Sequence, residues 1–113
     1  MLISMDIETA AARLEALGNP TRLRIYRALV RAGTNGLPVG KLQLKLDIAG
    51  STLSHHIRRL MDVELVDQER QATTLICRAN YREMDGLIGF LSDECCADAG
   101  GSCAPAGKDE AAA

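Results

Sequence analysis

The sequence predicts a mainly α protein with a small β-hairpin wing, a winged helix-turn-helix, and three stretches carry that reading. The first is Ser51-Thr52-Leu53-Ser54-His55-His56-Ile57-Arg58-Arg59-Leu60. Read at 100° per residue, it separates into two faces. Leu53, Ile57, Leu60 and Met61 fall on one side at the spacing of a buried stripe. Ser51, His55, Arg58 and Arg59 fall opposite, with Thr52 and Ser54 at the margins and His56 at the border. The second is the amphipathic Val39-Gly40-Lys41-Leu42-Gln43-Leu44-Lys45-Leu46, followed by Asp47-Ile48-Ala49-Gly50. That is a helix, a turn of about four residues containing Gly, and a second helix that Ser51 can cap. The third is a pair of short strands at 64–68 and 73–78 around a polar tip, Glu69-Arg70-Gln71-Ala72.

The remaining elements follow from capping and periodicity. A first helix over 6–17 has an apolar stripe of Ile7, Ala10, Ala11, Leu14 and Leu17, and Gly18 stops it. Asn19 and Pro20 supply the cap and first position of a second helix running to about Ala32. It is expected to bury Leu23, Ile25, Tyr26, Leu29 and Val30 and to carry Arg22, Arg24, Arg27 and Arg31 as solvated charge. After a loop at 33–36, Pro38 leads into the helix-turn-helix. Beyond the wing, Asn80 is expected to cap a last helix with a stripe of Tyr81, Met84, Leu87, Ile88 and Leu91. Gly86 and Gly89 each cost this helix about 1 kcal/mol relative to Ala, which close approach by another helix would offset. The first and last helices are therefore read as a homodimer interface.

At 113 residues, with one Phe, two Tyr and no Trp, a single domain with an aliphatic core is expected. A core that small is commonly supplemented by oligomerisation. The net charge of −2 hides a strong asymmetry. Residues 13–59 hold nine Lys or Arg against two acids, while the remainder holds four against thirteen. Phosphates respond to that local positive field, not to the average. The outer face of 51–59 offers hydroxyls, imidazole and guanidinium with no carboxylate until Asp62, which suits phosphates and base edges. On that face Ser51, Thr52, Ser54, His55 and Arg58 are the expected groove contacts, Arg59 on the same face and His56 at its border are also expected to bind DNA, and Arg70 and Gln71 of the wing lie near the backbone or minor groove. For His56 a helix-edge hydrogen bond or a phosphate contact is expected. No stretch is long and apolar enough to span a membrane, and a cytoplasmic location is expected. There, four cysteines imply thiols or soft-ion ligands instead of structural disulfides.

Two motifs resemble the ArsR/SmtB family of metal-responsive winged-helix repressors, over roughly residues 6–96. Leu17-Gly18-Asn19-Pro20-Thr21-Arg22-Leu23 looks like the family's opening motif, and Ser51-Thr52-Leu53-Ser54-His55-His56-Ile57 like its recognition helix. The resemblance implies a homodimer that sits on double-stranded operator DNA and releases it when a metal or metalloid binds. The chain departs from the family's known sensor sites. Leu37-Pro38-Val39-Gly40-Lys41-Leu42-Gln43 holds no thiol where many arsenic-responsive members carry a cysteine cluster. The last helix offers Asp85 and Asp93 but no His, so the family's zinc site does not carry over either.

Soft-ion ligands are nevertheless available at Cys95, Cys96 and Cys103. Thiolates favour thiophilic centres, and As(III) or Sb(III) is satisfied by three sulfurs, whereas zinc normally takes four ligands. At a fraying helix end Cys95 and Cys96 would lie about 100° apart, and the segment 97–102 is long enough to fold Cys103 back. Cys77, between Ile76 and Arg78, is expected to pack in the core. The domain is thus expected over 1–96, with 97–113 a flexible tail. Three alternatives stay open: a thiol-redox switch of disulfide or persulfide type, a Zn(II) or Cd(II) sensor, and an enzyme with nucleophilic thiols. Against the last, no acid–base partner accompanies the cysteines, so no catalytic residues are expected.

Overall fold

The computed structural model describes residues 5–99. Helices α1 (Ile7–Leu17), α2 (Pro20–Ala32), α3 (Val39–Leu46), α4 (Gly50–Asp62) and α5 (Tyr81–Ser92) appear with strands β1 (Leu37–Pro38), β2 (Val66–Gln71) and β3 (Thr74–Ala79). This is the winged helix-turn-helix that the sequence predicts: α3 and α4 are its helical pair, and β2 and β3 its wing. The sheet is antiparallel in the order β1-β3-β2. Leu42 of α3, Leu53, Ile57 and Leu60 of α4, Ile25 and Leu29 of α2, and Leu65, Val66 and Cys77 around the wing form one core. The stripe of α4 is therefore what seats the recognition helix, except that Met61, at its rim, is 36% exposed.

Of the three expected caps, Asn19, Ser51 and Asn80, only Asn19 acts as one, while Asp6, expected as the first residue of α1, is instead its cap. Asp6 accepts from Thr9 N at 2.9 Å, and Asn19 Oδ1 accepts from Thr21 N and Arg22 N at 2.9 and 3.0 Å. Ser51 does not cap α4; the helix begins one residue earlier, with Ala49 at the cap position and no side-chain cap. Asn80 holds the cap position of α5 but turns its amide to Glu64 O, at 3.1 Å. That bond closes the turn between α4 and β2, so the residue serves the tertiary junction instead of its own helix.

The wing runs further toward its tip than expected. Register from Val66↔Ala79 to Gln71↔Thr74 leaves a two-residue turn, Ala72 and Thr73, with Ala72 at φ 58°. Arg70 and Gln71 consequently belong to β2 and not to the tip. Strand β1 was not expected, because two residues carry no alternation to read. Its pairing, Leu37↔Cys77 and Pro38↔Ile76, requires Gly36: φ is 70°, and an added Cβ would collide with the Cys77 carbonyl and the Arg78 side chain.

Two helix faces differ from their periodicity. On α1 the buried residues are Ala10, Arg13 and Ala16, while Ile7 and Leu14 are exposed. On α2 Leu23 is exposed and Arg22 is buried beside Ile25, Tyr26 and Leu29. In both helices an arginine occupies the inward stripe because it finds hydrogen-bond acceptors there. Arg24, Arg27 and Arg31 are exposed as expected.

Candidate nucleic-acid interface

Helix α4 is held from below by three fully buried aliphatic residues and from its N-terminal side by the turn after α3. Asp47 adopts a left-handed backbone (φ 55°), Ile48 N donates to Gln43 O at 3.3 Å, and the Gln43 amide lies against Gly50. Ser51, Thr52, Ser54, His55 and Arg58 all project outward and are exposed. With no side-chain cap, the first backbone N–H groups of α4 are also open to an incoming acceptor. Between α4 and the wing lies a groove of about 340 Å³ lined by Ser54, Ile57, Arg58, Met61, Gln68 and Leu75, with the carboxylate of Asp62 at its α4 end. One face thus combines hydroxyl donors, an imidazole and a guanidinium beside a hairpin, with Arg70 and Gln71 exposed on its outer strand.

His56 and Arg59 sit on the flank of α4 that faces the first two helices. Arg22 Nε donates to Ala16 O at 2.7 Å, closing the C-terminal turn of α1, and its Nη1 lies 3.4 Å from His56 Nδ1. Burial, followed by the positive neighbours Arg22, His55 and Arg59, holds the His56 pKa below its ordinary value. The ring is therefore suited to accept from the guanidinium as a neutral imidazole. Arg59 Nη2 lies 3.3 Å from Glu15 Oε1. The Asn19-Pro20-Thr21-Arg22 motif is thereby explained: Asn19 and Pro20 start α2, and Arg22 fastens the end of α1 and the edge of the recognition helix. The spacing of Arg22 with Ile25, Tyr26 and Leu29 was the available signal of its burial.

Arg13 plays a similar part further along α4. Its Nε donates to Val63 O at 2.8 Å and its Nη1 to Glu83 Oε1 at 2.8 Å, and Glu64 Oε1 lies 3.7 Å from Nη2. One buried guanidinium therefore joins α1, the turn from α4 into the wing, and α5.

The cysteines occupy two environments. Cys77 is fully buried and accepts from Gln68 Nε2 at 3.4 Å; burial pushes its thiol pKa up. That is the packing role expected of it. Cys95 and Cys96 do not lie on a helix end. Helix α5 stops at Ser92, and the chain continues in tight turns with Glu94 and Cys96 at φ 62° and 61°. Left-handed backbone costs a non-glycine residue about 1–2 kcal/mol. The two sulfurs are 3.7 Å apart, and Cys96 is disulfide-bonded in this state. Residues 97–99 form a 3₁₀ turn; the rest of the expected tail, including Cys103, lies outside the described residues. Among the described residues no three His, Cys, Asp or Glu side chains gather as a metal site.

A helix-turn-helix with its outer helix exposed, a hairpin beside it and cations on that face defines a winged-helix DNA-binding protein. Comparison with known proteins agrees. Residues 17–69 match the family model described as a helix-turn-helix domain. The chain is 35% identical over 88 residues to the nodulation protein NolR of Rhizobium meliloti, covering 78% of this chain and 70% of that protein. It is 30% identical over 94 residues to the HTH-type transcriptional regulator YgaV of Escherichia coli K12, covering 83% and 93%. The structure of HlyU from Vibrio cholerae superposes with a TM-score of 0.64 at 30% identity, over 81% of this chain and 99% of that one. The chain belongs to the ArsR family of winged helix-turn-helix transcriptional regulators.

Proposed function

We propose that the chain is a transcriptional repressor that binds operator DNA as a homodimer and releases it when As(III) or Sb(III) binds Cys95, Cys96 and Cys103. The observation that carries the sensing half is the 3.7 Å separation of the Cys95 and Cys96 sulfurs just beyond α5. Adjacent sulfurs at that separation can turn to one soft, thiophilic centre once both are thiolates. Further support comes from a structure described as a possible transcriptional regulator for arsenical resistance. It is 25% identical, with a TM-score of 0.60 over 71% of this chain and 80% of that one.

The dimer reading rests on exposed apolar residues of the two outer helices: Ile7 and Leu14 of α1, and Ile88 and Leu91 of α5. Joining those helices across a two-fold axis sets the separation of the two α4 helices. Successive major grooves require that separation to be near one helical turn. An ion closing the chain after α5 acts at the end of that interface. A coupling of about 1–3 kcal/mol between the sites gives a 5–150-fold change in affinity. No helix among the described residues is long and apolar enough to cross a membrane, and the proposed site of action is the cytoplasm.

The second reading keeps the DNA-binding half and replaces the ion with oxidation. The disulfide at Cys96 favours it, and HlyU, a 30% identical relative, has a structure described as reduced. A sulfur held in a disulfide is not a thiolate ligand, so the two signals exclude one another at Cys96.

Gel-shift titration on the DNA upstream of the chain's own coding sequence tests both readings, using reduced protein with arsenite, zinc, cadmium or oxidant. Cys95→Ser, Cys96→Ser and Cys103→Ser are each expected to lose release by arsenite while binding DNA normally. Cys77→Ser is expected to respond as wild type. Release by oxidant with none by arsenite replaces the first reading with the second. His55→Ala and Arg58→Ala are expected to weaken binding by about 1–3 kcal/mol per contact without altering arsenite binding.

A further inference from the structure

Arg22 reaches the recognition helix from inside the domain. Its side chain lies in the buried stripe of α2, and the residue is 8% exposed. It is fixed in two places: its backbone N–H donates to Asn19 Oδ1 at 3.0 Å and its Nε to Ala16 O at 2.7 Å. On α4 the guanidinium meets His56, whose Nδ1 lies 3.4 Å from Nη1.

A guanidinium only donates, so this contact is a hydrogen bond only while Nδ1 carries no proton. The neutral ring then keeps its proton on Nε2. Once the ring takes a second proton from solvent, Nδ1 is a donor as well, and two like-charged donors face each other. Nothing around the ring offsets that. From α2 it faces Arg22, and on its own helix the charges that act on it are His55 and Arg59. On α1 the acid of the last turn, Glu15, is paired with Arg59 at 3.3 Å. The wing meets α4 through Gln68 and Leu75, which do not titrate. Among the described residues no carboxylate pairs with His56. The guanidinium is anchored and the ring is half-buried at a helix edge, so the ring is the part that yields. The Arg59–Glu15 pair beside it is exposed and holds that edge only weakly. His55, with its ring centroid 5.6 Å from that of His56, and Arg58 stand on the outward face of the same turns.

We propose that Arg22 and His56 are positioning residues for operator binding: the neutral ring, accepting from the guanidinium, seats the recognition helix, and a proton on Nδ1 unseats it and weakens binding. The inference rests on the operator-binding reading above. It makes the grip on DNA responsive to acid through a side chain that does not itself touch DNA. The sign separates it from a direct contact, since an imidazolium against a phosphate would tighten binding as the pH falls.

The test is fluorescence anisotropy of full-length, reduced, metal-free protein on the upstream duplex, at fixed KCl, from about pH 7.5 to 5.5. The temperature is kept well below melting, and circular dichroism checks the fold at each pH. His56→Asn places an acceptor oxygen near the position of Nδ1 and does not titrate, whereas His56→Ala removes the acceptor. His55 titrates in all three proteins, so its effect cancels in ratios of affinity. At pH 7.5 His56→Asn is expected to bind nearly as wild type and His56→Ala about tenfold more weakly, the scale of a lost hydrogen bond to a charged group. As the pH falls, wild type should lose affinity relative to His56→Asn, by at most about tenfold per pH unit for each proton taken up, and approach His56→Ala. A ratio of wild type to His56→Asn that stays constant or rises overturns the inference, as does wild-type affinity in His56→Ala. A second readout needs no variant. Ring nitrogen chemical shifts at pH 7.5 should show Nδ1 of His56 unprotonated, and a neutral ring with its proton on Nδ1 overturns the pairing. If wild type binds no duplex at pH 7.5, the operator-binding reading fails and the inference with it. If wild type binds and the ratio is flat, only the inference fails.

Discussion

Arg13 and Glu83, seventy positions apart, meet at 2.8 Å and join the first helix to the last. The guanidinium is nearly inaccessible, with its side chain 6% exposed, whereas the Glu83 side chain is 21% exposed. The same arginine binds Val63 O where α4 passes into the wing. A shift of α5 relative to α1 therefore reaches the end of the recognition helix through one side chain.

Arg13→Ala should destabilise the fold toward the lower end of about 3–5 kcal/mol, the range for breaking a buried pair, because Glu83 can partly hydrate. Glu83→Gln keeps the acceptor oxygen and should cost less. Denaturant titration of both variants measures this, and equal costs would show that the charge of Glu83 accounts for the whole effect and the other bonds of the guanidinium for none of it.

Ile88→Glu should yield a folded monomer. Ile88 is 56% exposed in the single chain, so a carboxylate there is solvated unless a second copy covers it. Light scattering at micromolar concentration gives the mass and circular dichroism the fold. A dimeric Ile88→Glu protein would move the interface away from α5.

The stability of the wild type should fall as pH drops through about 6.5. Burial and three positive neighbours keep the native His56 pKa below the ordinary 6.5. The unfolded chain therefore takes up that proton first. Stability from this group is complete above 6.5 and declines as the pH falls toward the lower native pKa. Melting temperatures from pH 7.5 to 5.5 should decline more steeply in wild type than in His56→Gln, and parallel curves would refute the assignment.

Tyr26→Phe should stabilise the protein by about 1 kcal/mol, the scale of leaving a buried polar group unpaired. The Tyr26 hydroxyl is buried without a hydrogen-bond partner among the described residues, and burial is the main reason its pKa is pushed up to about 12. A destabilised Tyr26→Phe variant in thermal melts would mean that the hydroxyl has a partner in solution.

The sequence by itself determined the helix-turn-helix and its wing, because those elements are written in local terms. Leu53, Ile57 and Leu60 recur at helical spacing over a polar face, Asn19 and Pro20 open α2, and two short runs flank a polar tip. It also determined that Cys77 is a packing residue, since a free thiol is among the most buried side chains and this one sits within a strand. Tertiary structure decided what depends on partners distant in sequence. Arg13 and Arg22 look like solvated charges until Glu83, Val63 O, Ala16 O and His56 are brought beside them. Buried guanidinium is stable only where such acceptors converge. The Asn80 side chain left its own helix for Glu64 O, and β1 exists because β3 passes beside Leu37 and Pro38. The outward turn of Ile7 and Leu14 belongs to the same class. Periodicity marks an apolar stripe, but only packing shows which stripe the domain buries and which it leaves for another surface.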